Sequence, residues 1–386
     1  METRLMNASP EAFDAIRPYR DEEVEEVLER LAEDQELLTA LLRFKFPRLA
    51  TSFVAPLLRL LLSRVLKKRL AKIHSIDDLQ LYVAGYVARM LATTSKGFSV
   101  DGLEELDQDQ SYLFVSNHRD IAMDPALVNY ALHTREKTTA RIAIGDNLLQ
   151  KPWVTDLMRL NKSFVVQRSA KGVRQMMAAF KLLSEYIHHT LKNEQQSIWI
   201  AQREGRAKDG IDHTDPAIIK MFCMAEKKSD KSFAEILGSL NIIPVALSYE
   251  YDPLGVQKAR ELATLEEEGE YAKAEFEDIT SIAQGIAGYK GRVQVAFGKP
   301  LTNEEMQSPA SAAQAIDAQI SRLYRLFPSN YLALEALDEL GDMALPEFDT
   351  ATRAAFNEHL AACPPEYRKH WLTMYANPVK NYLKRL

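Results

Sequence analysis

The chain has 386 residues, of which 46% are hydrophobic and 26% charged, and its formal net charge at pH 7 is −6. This apolar fraction is ordinary for a globular protein with a large core. The two cysteines, Cys223 and Cys363, lie far apart and exclude a disulfide framework or a cysteine-based metal site. An acidic chain with one local basic segment does not favour nucleic-acid binding.

The amino terminus lacks the basic flank and apolar core of a secretory signal. No uncharged stretch reaches the roughly 18 residues that a membrane-spanning helix needs. We therefore expect no signal peptide and no transmembrane helix. Isolated cysteines are typical of a reducing compartment, so the prediction is a cytoplasmic protein.

Charge is distributed unevenly near the amino terminus. Residues 1–36 carry twelve acids and four bases, whereas residues 37–76 carry no acid and nine bases. Phenylalanine and leucine alternate with these bases, a pattern that suits the headgroup region of an anionic membrane. The pattern favours peripheral binding to the cytoplasmic face of a membrane. The alternative is a helical layer that packs on the rest of the protein. The nine bases are Arg43, Lys45, Arg48, Arg59, Arg64, Lys67, Lys68, Arg69 and Lys72.

Apolar spacing predicts helices over the first hundred residues, with one helix from Asp21 to Leu42 and two more up to Thr94. Beyond Gly97 short β-rich runs alternate with helices, which predicts an α/β fold with a mostly parallel central sheet and helices on both faces. Strands are expected at Tyr112–Ser116, Ala140–Ile144, Ser163–Gln167, Ser197–Ala201, Ile242–Ser248 and Arg292–Phe297.

The sequence pattern changes from helical spacing to alternating strands and helices and then back to helical spacing, which predicts three domains. They are a helical N-terminal region at 1–98, an α/β catalytic domain at 99–300 and a helical extension at 301–386. Within the second domain, residues 261–287 are predicted to form an exposed helical insertion. The aromatic and basic stretch that contains Trp371 and Tyr375 fits either a second membrane anchor or a helix docked on the protein.

The most informative segment follows the first of these strands. His118 comes directly after an apolar run and two polar residues, so it is expected at the carboxyl edge of the sheet, where α/β proteins place their chemistry. An acid a few residues on can hold one ring nitrogen and leave the other free to take a proton. Asp124 precedes an apolar helix and is the preferred partner, although Asp120 is nearer in sequence. Asp124 is also a plausible helix cap before Pro125.

His118-Arg119-Asp120 also spells the catalytic-loop signature of protein kinases. That signature requires an asparagine where this chain has Pro125, and it requires a glycine-rich loop, a strand lysine and Asp-Phe-Gly. These features are missing from the sequence. The kinase interpretation is therefore excluded.

Three further segments follow the His118 segment: Ser163–Arg168, Ser197–Arg206 and Ile242–Leu247. In this order the four segments resemble the sequence blocks of the glycerolipid acyltransferases, which include the glycerol-3-phosphate and lysophosphatidate acyltransferases. The resemblance covers residues 102–300. It has departures, because five residues separate His118 from Asp124 where the family usually has four, and Arg203 stands where a proline is common.

The resemblance implies transfer of a fatty acyl group from acyl-CoA or an acyl carrier protein to a hydroxyl of glycerol 3-phosphate or lysophosphatidate. His118 would act as the general base and Asp124 would orient its ring. No Gly-x-Ser-x-Gly elbow is present, so no covalent acyl-enzyme is expected. The histidines at 188, 189 and 213 lack acids or cysteines at ligand spacing, and we expect no metal and no cofactor besides the thioester co-substrate.

An acceptor with a phosphate requires fixed cations, and arginine suits phosphate because its planar fork bonds two oxygens. Glu204 resembles the family's turn acid, which bonds an acceptor hydroxyl or an arginine, and Gly205 permits a tight turn. Arg206 follows Glu204 by two positions, where the family has three. Lys208, further along the chain, can supply the cation at the longer distance. The cations expected at the acceptor are Arg119, Arg168, Arg206 and Lys208.

Two alternatives remain open at this point. The longer His118-to-Asp124 spacing could break the pair and leave a catalytically silent relative that binds lipid or thioester. The acceptor could also lack a phosphate.

Overall fold

The computed structural model of the chain describes residues 10–274, 277–341 and 343–384. These residues contain seven strands and sixteen α-helices. The strands are β1 (Ser95–Asp101), β2 (Leu113–Ser116), β3 (Arg141–Gly145), β4 (Ser163–Val166), β5 (Ile198–Ala201), β6 (Ile242–Tyr249) and β7 (Gly291–Phe297). The helices are α1 (Asp21–Glu33), α2 (Gln35–Lys45), α3 (Pro47–Ala50), α4 (Ala55–Leu70), α5 (Ile76–Thr94), α6 (Met123–Thr134), α7 (Pro152–Leu160), α8 (Val173–Lys192), α9 (Pro216–Phe222), α10 (Phe233–Gly238), α11 (Gly255–Glu268), α12 (Glu277–Ala287), α13 (Pro309–Leu323), α14 (Pro328–Ala336), α15 (Thr350–Ala362) and α16 (Arg368–Leu383).

The chain forms two compact units, and neither is continuous in sequence. The smaller unit comprises Met1–Tyr86 and Arg141–Tyr186, and the larger unit comprises Val87–Ala140 and Ile187–Leu386. The three domains drawn from sequence stay a prediction. Strand β1 crosses the boundary that the sequence placed at residue 98.

The larger unit is built on five strands in the order β1-β7-β6-β2-β5. Strand β2 pairs in parallel with both β5 and β6, and β1 pairs in parallel with β7. The pair β6–β7 is antiparallel. All residues of β2 and β6 are buried, as expected for the middle of a largely parallel sheet. The predicted α/β class with mostly parallel strands is confirmed.

Six of the seven strands lie where the apolar runs predicted them. The exception is β1, which sequence analysis missed because Ser-Lys-Gly-Phe-Ser-Val-Asp contains no apolar run. Its side chains are exposed or half-buried, and it stands at one end of the strand order of the larger unit. An edge strand of this kind carries little of the hydrophobic periodicity on which prediction depends.

The smaller unit pairs β3 in parallel with β4 and packs several helices of the N-terminal region around an apolar cluster. Val24, Leu28 and Leu31 of α1 are buried in this cluster. The single helix predicted from Asp21 to Leu42 is wrong. The side chain of Asp34 accepts the N–H of Leu37 at 2.7 Å and begins a second helix, α2.

No helix in the described ranges combines the length and the apolar character needed to cross a membrane.

The segment between β6 and β7 forms the helices α11 and α12. The sequence predicted an exposed helical insertion at 261–287, and for α11 this prediction holds only in part. Glu261 and Ala263 are buried, because α11 packs against α16 of the same unit, whereas residues 265–268 are exposed. The prediction was based on the run of three glutamates, which follows the two buried positions.

The C-terminal helix α16 is docked on the larger unit. Trp371 and Tyr375 are 3% and 4% exposed, and both belong to an apolar cluster that includes Leu332 and Phe356. Of the two alternatives for this stretch, the structure therefore favours the docked helix over a membrane anchor at these aromatic residues.

Candidate active site

The end of strand β2 is fixed to its neighbour by an asparagine. The side-chain amide of Asn117 donates to the carbonyl of Leu247 at 3.0 Å, and its oxygen accepts the N–H of Leu247 at 2.8 Å. These two bonds continue the pairing of β2 with β6 beyond Ser116, the last residue of the strand. The backbone that leads into His118 is therefore held rigidly at the carboxyl end of the sheet.

His118 and Asp124 are in contact despite their longer spacing. The ring Nδ1 of His118 lies 2.9 Å from Oδ2 of Asp124. The Asp124 side chain is completely buried, whereas 16% of the His118 side chain is exposed. The Nδ1 edge of the imidazole is thus held from inside the protein, while part of the ring is exposed to solvent.

The Asp124 carboxylate has further donors. Its Oδ2 accepts the N–H groups of Arg119 at 2.5 Å and Asp120 at 2.9 Å, and its Oδ1 accepts the hydroxyl of Tyr249 at 2.7 Å. Burial alone raises the pKa of Asp124, but His118 and these donors outweigh it and hold that pKa below its ordinary value. A carboxylate at this position assigns the ring proton of neutral His118 to Nδ1 and leaves Nε2 as a proton acceptor.

Trp199 supports the imidazole from the side. The two rings are 5.8 Å apart and meet edge to face at 70°. The indole N–H of Trp199 donates to the hydroxyl of Ser116 at 3.0 Å. The indole is itself buried and fixed, so the orientation of the His118 ring is defined by packing as well as by Asp124.

Asp120 does not pair with the histidine. Its Oδ1 accepts the N–H groups of Ala122 at 2.9 Å and Met123 at 2.8 Å, the two residues at which α6 begins. Asp124 lies inside the first turn of α6, so it is not the N-cap residue, which is Ala122. Burial and the nearby Asp124 raise the pKa of Asp120 to about 6.

The Glu-Gly-Arg turn after β5 is fastened to the histidine backbone. The N–H of Ala207 donates to the carbonyl of His118 at 2.7 Å. Gly205 has φ +76°, in the left-handed region that favours glycine, and both Glu204 and Gly205 are exposed. The Arg206 side chain is 9% exposed, and its guanidinium lies 4.0 Å from Asp278 of α12.

Two of the expected acceptor cations have internal partners. Arg119 is 5% exposed, and its guanidinium bonds Asp212 at 2.7 Å and the carbonyl of Gly210 at 3.3 Å. Burial disfavours its charge, yet Asp212 outweighs burial and the pKa of Arg119 rises further. Lys208 forms an ion pair with Glu261 of α11. Each of these two side chains is therefore bonded to an acid that could not be identified from sequence, and their contribution to an acceptor site stays a prediction.

Arg168 belongs to the smaller unit, where it follows β4. Its backbone N–H donates to Asp146 at 3.1 Å, and a methyl group on Gly145 would come within 3.0 Å of the Arg168 side chain. The side chain therefore passes over the end of β3. Its contribution to an acceptor site stays a prediction.

A buried lysine that the sequence did not indicate supports the motif. The ammonium of Lys258, on α11, donates to the carbonyl of Arg119 at 2.7 Å and to Asp252 at 2.5 Å. Lys258 is 3% exposed, so this is a buried ion pair that fixes the backbone next to His118. Lys258 lies on a segment whose charged residues are typical of an exposed helix, so the sequence did not indicate this buried role.

Comparison with known proteins adds to this geometry. Residues 97–248 match a family model described as Acyltransferase. No curated protein sequence matches the chain significantly. Among solved structures, the chain is similar to the crystal structure of the 1-acyl-sn-glycerophosphate (LPA) acyltransferase PlsC from Thermotoga maritima. The two are 15% identical with a TM-score of 0.38, and the match covers 74% of this chain and 93% of that one.

The segment matched by the family model begins in β1 and ends in β6. It contains the His118–Asp124 pair, Arg168 and the Glu204–Arg206 turn, which are the residues that carry the resemblance in sequence. The chain therefore contains a segment, residues 97–248, that matches the acyltransferase family.

Proposed function

We propose that this acyltransferase domain moves a fatty acyl group from a thioester of coenzyme A or an acyl carrier protein to a hydroxyl of glycerol 3-phosphate or lysophosphatidate. The observation that carries the proposal is the His118–Asp124 contact. The carboxylate of Asp124 is buried and both of its oxygens accept hydrogen bonds, and the His118 ring that it holds is partly exposed. This is the arrangement that a general base for an alcohol requires.

In the proposed reaction Nε2 of His118 takes the proton of the acceptor hydroxyl while the oxygen attacks the thioester carbonyl. The tetrahedral intermediate then expels the thiolate, the imidazolium returns the proton to sulfur, and the products are an ester and a free thiol. Asp124 stabilises the imidazolium between these two steps. Burial raises the pKa of the Cys223 thiol to about 12, which makes this cysteine a poor nucleophile.

Arg206 is the cation best placed for an acceptor phosphate. Its turn is attached to the His118 backbone through Ala207, and in the described residues its nearest ion-pair partner, Asp278, is 4.0 Å away. A guanidinium that is largely desolvated and only weakly paired favours an anionic ligand. We include Glu204 as the acid that accepts a hydrogen bond from an acceptor hydroxyl or orients an arginine, and the role of Arg168 as a further cation stays a prediction.

The contact between His118 and Asp124 disfavours the catalytically silent alternative. That alternative depended on the longer spacing separating the two motif residues, and they are 2.9 Å apart. Arg206 likewise favours a phosphorylated acceptor over one without phosphate.

Replacing His118 by alanine removes the proposed base. We expect the kcat for release of coenzyme A or carrier protein from labelled acyl thioester to fall roughly 10²–10⁴-fold, with the circular dichroism spectrum unchanged. His370 is a matched control, because its ring is 17% exposed and lies 2.9 Å from Glu266. His370→Ala should keep wild-type turnover. Turnover by His118→Ala at the wild-type rate would refute the base assignment, and a wild-type protein that acylates no phosphorylated glycerol acceptor would refute the function.

Replacing Arg206 by glutamine tests the acceptor class. Losing a charge-assisted contact to phosphate should raise the KM for glycerol 3-phosphate or lysophosphatidate by roughly 10-fold or more. The KM for a monoacylglycerol, which has no phosphate, should stay constant in the same variant. Arg322→Gln, at an exposed position, is the control for loss of one charge. An equal change for both acceptor classes would contradict the phosphate contact.

We also propose that the segment 37–76 holds the protein at an anionic membrane surface. In the smaller unit, large apolar side chains are exposed at the end of α2, in the turn before α4 and at the start of α4; they are Phe44 at 65%, Phe53 at 96% and Leu57 at 58%. Exposed bases, among them Arg43, Lys45 and Arg48, lie close to these residues in sequence. Apolar and basic groups exposed together favour a headgroup region over water.

Replacing Arg43, Lys45 and Arg48 together by glutamine should weaken binding to phosphatidylglycerol vesicles. Each basic residue near an anionic surface contributes about 1 kcal/mol, so the triple variant should bind roughly 100-fold more weakly at low salt. Vesicle sedimentation measures this change.

The control for that experiment removes the same charge elsewhere. Lys220, Lys227 and Lys228 are exposed residues of the larger unit, and their glutamine variant should keep wild-type affinity. Equal loss in the two triple variants, or a wild-type protein that does not sediment with anionic vesicles, would contradict the membrane proposal.

A further inference from the structure

The loop between His118 and Asp124 contains one residue more than the family's usual four, and this extra length has to be accommodated. A longer loop can keep the two side chains together only if its backbone is held in one shape. The first helical residue after the loop is Met123, so the loop has to close between Arg119 and Ala122. Asp120 lies in the middle of this stretch.

Asp120 is bonded in a way that closes the loop. Its Oδ1 accepts two N–H groups, from Ala122 and Met123, which begin the helix that carries Asp124. Its own N–H donates to Oδ2 of Asp124, the oxygen that also contacts His118. One residue thus joins the start of α6 to the carboxylate that orients the ring.

The second carboxyl oxygen of Asp120 lies against helix α12. It is buried and has no hydrogen-bond partner among the described residues. A methyl group built on Gly285 of α12 would lie 2.1 Å from this Oδ2 and 2.9 Å from Cγ. Real side chains do not approach so closely, so the position of Asp120 requires a residue without a Cβ at 285.

We propose that Asp120 is a positioning residue for the His118–Asp124 pair and that Gly285 leaves the space its carboxyl group occupies. Helix α12 then controls the geometry of the pair, although it lies outside the acyltransferase domain at residues 97–248. The effect on turnover rests on the proposed function, whereas the Asp120–Gly285 contact does not.

The test is a double-mutant cycle between Gly285→Ala and Asp120→Ala. In the wild-type background Gly285→Ala should push the Asp120 carboxyl aside and lower kcat roughly 10–100-fold with KM little changed, because small displacements of a catalytic group are costly. In the Asp120→Ala background the added methyl group has room, so it should not lower kcat further.

Stability provides a readout that needs no substrate. Alanine is a better helix former than glycine, so Gly285→Ala should raise the denaturation midpoint in the Asp120→Ala background. In the wild-type background the clash should reverse the sign and lower the midpoint. Gly85→Ala is the matched control, since Gly85 is a glycine of α5 whose added methyl group meets no atom within 4 Å.

Asp120→Asn separates positioning from mere folding. The side-chain oxygen of asparagine can accept the same two N–H groups, from Ala122 and Met123, so this variant should keep kcat within about 3-fold of wild type. The His118 ring nitrogens should give wild-type NMR shifts in Asp120→Asn and altered shifts in Gly285→Ala. Wild-type activity in Gly285→Ala, or equal effects of that change in both backgrounds, would overturn the inference. If no variant and no wild-type protein transfers acyl groups, the proposed function fails, while the stability cycle still decides the contact.

Discussion

The buried carboxylate of Asp124 is the group on which the site depends. It accepts hydrogen bonds from the His118 ring, from two backbone N–H groups of the loop and from the Tyr249 hydroxyl. An ionised carboxylate without these donors would be too costly to bury. The same bonds therefore keep it charged, fold the loop around it and fix which imidazole nitrogen carries the proton. Loop length matters less than these contacts, which explains how the pair tolerates an additional residue.

Support for this carboxylate comes from several parts of the larger unit. Asn117 continues the strand pairing that delivers His118, and Tyr249 reaches Asp124 from the end of β6. Lys258 of α11 bonds the carbonyl of Arg119, and Gly285 of α12 leaves room for Asp120. The two helices that follow the acyltransferase domain therefore contact the motif itself. They behave as part of the site's framework rather than as an external insertion.

Much of the strand pattern and the central pair could be predicted from sequence, because both are local. Apolar runs define the six strands found, and His118 and Asp124 are close enough along the chain for their contact to be anticipated. The partners of Arg119 and Lys208 could not be predicted, since Asp212 and Glu261 lie about 50–90 residues away and sequence does not show which acid faces which base. Lys258 was missed for the same reason.

The central claim is that Asp124 holds the proton of neutral His118 on Nδ1 and leaves Nε2 free. Nitrogen NMR of protein labelled with ¹⁵N-histidine measures this directly, with His118→Ala providing the assignment. We predict an Nδ1-protonated ring in the wild type and a loss of that preference in Asp124→Asn. A wild-type ring protonated on Nε2, or the same spectrum in Asp124→Asn, would contradict the account.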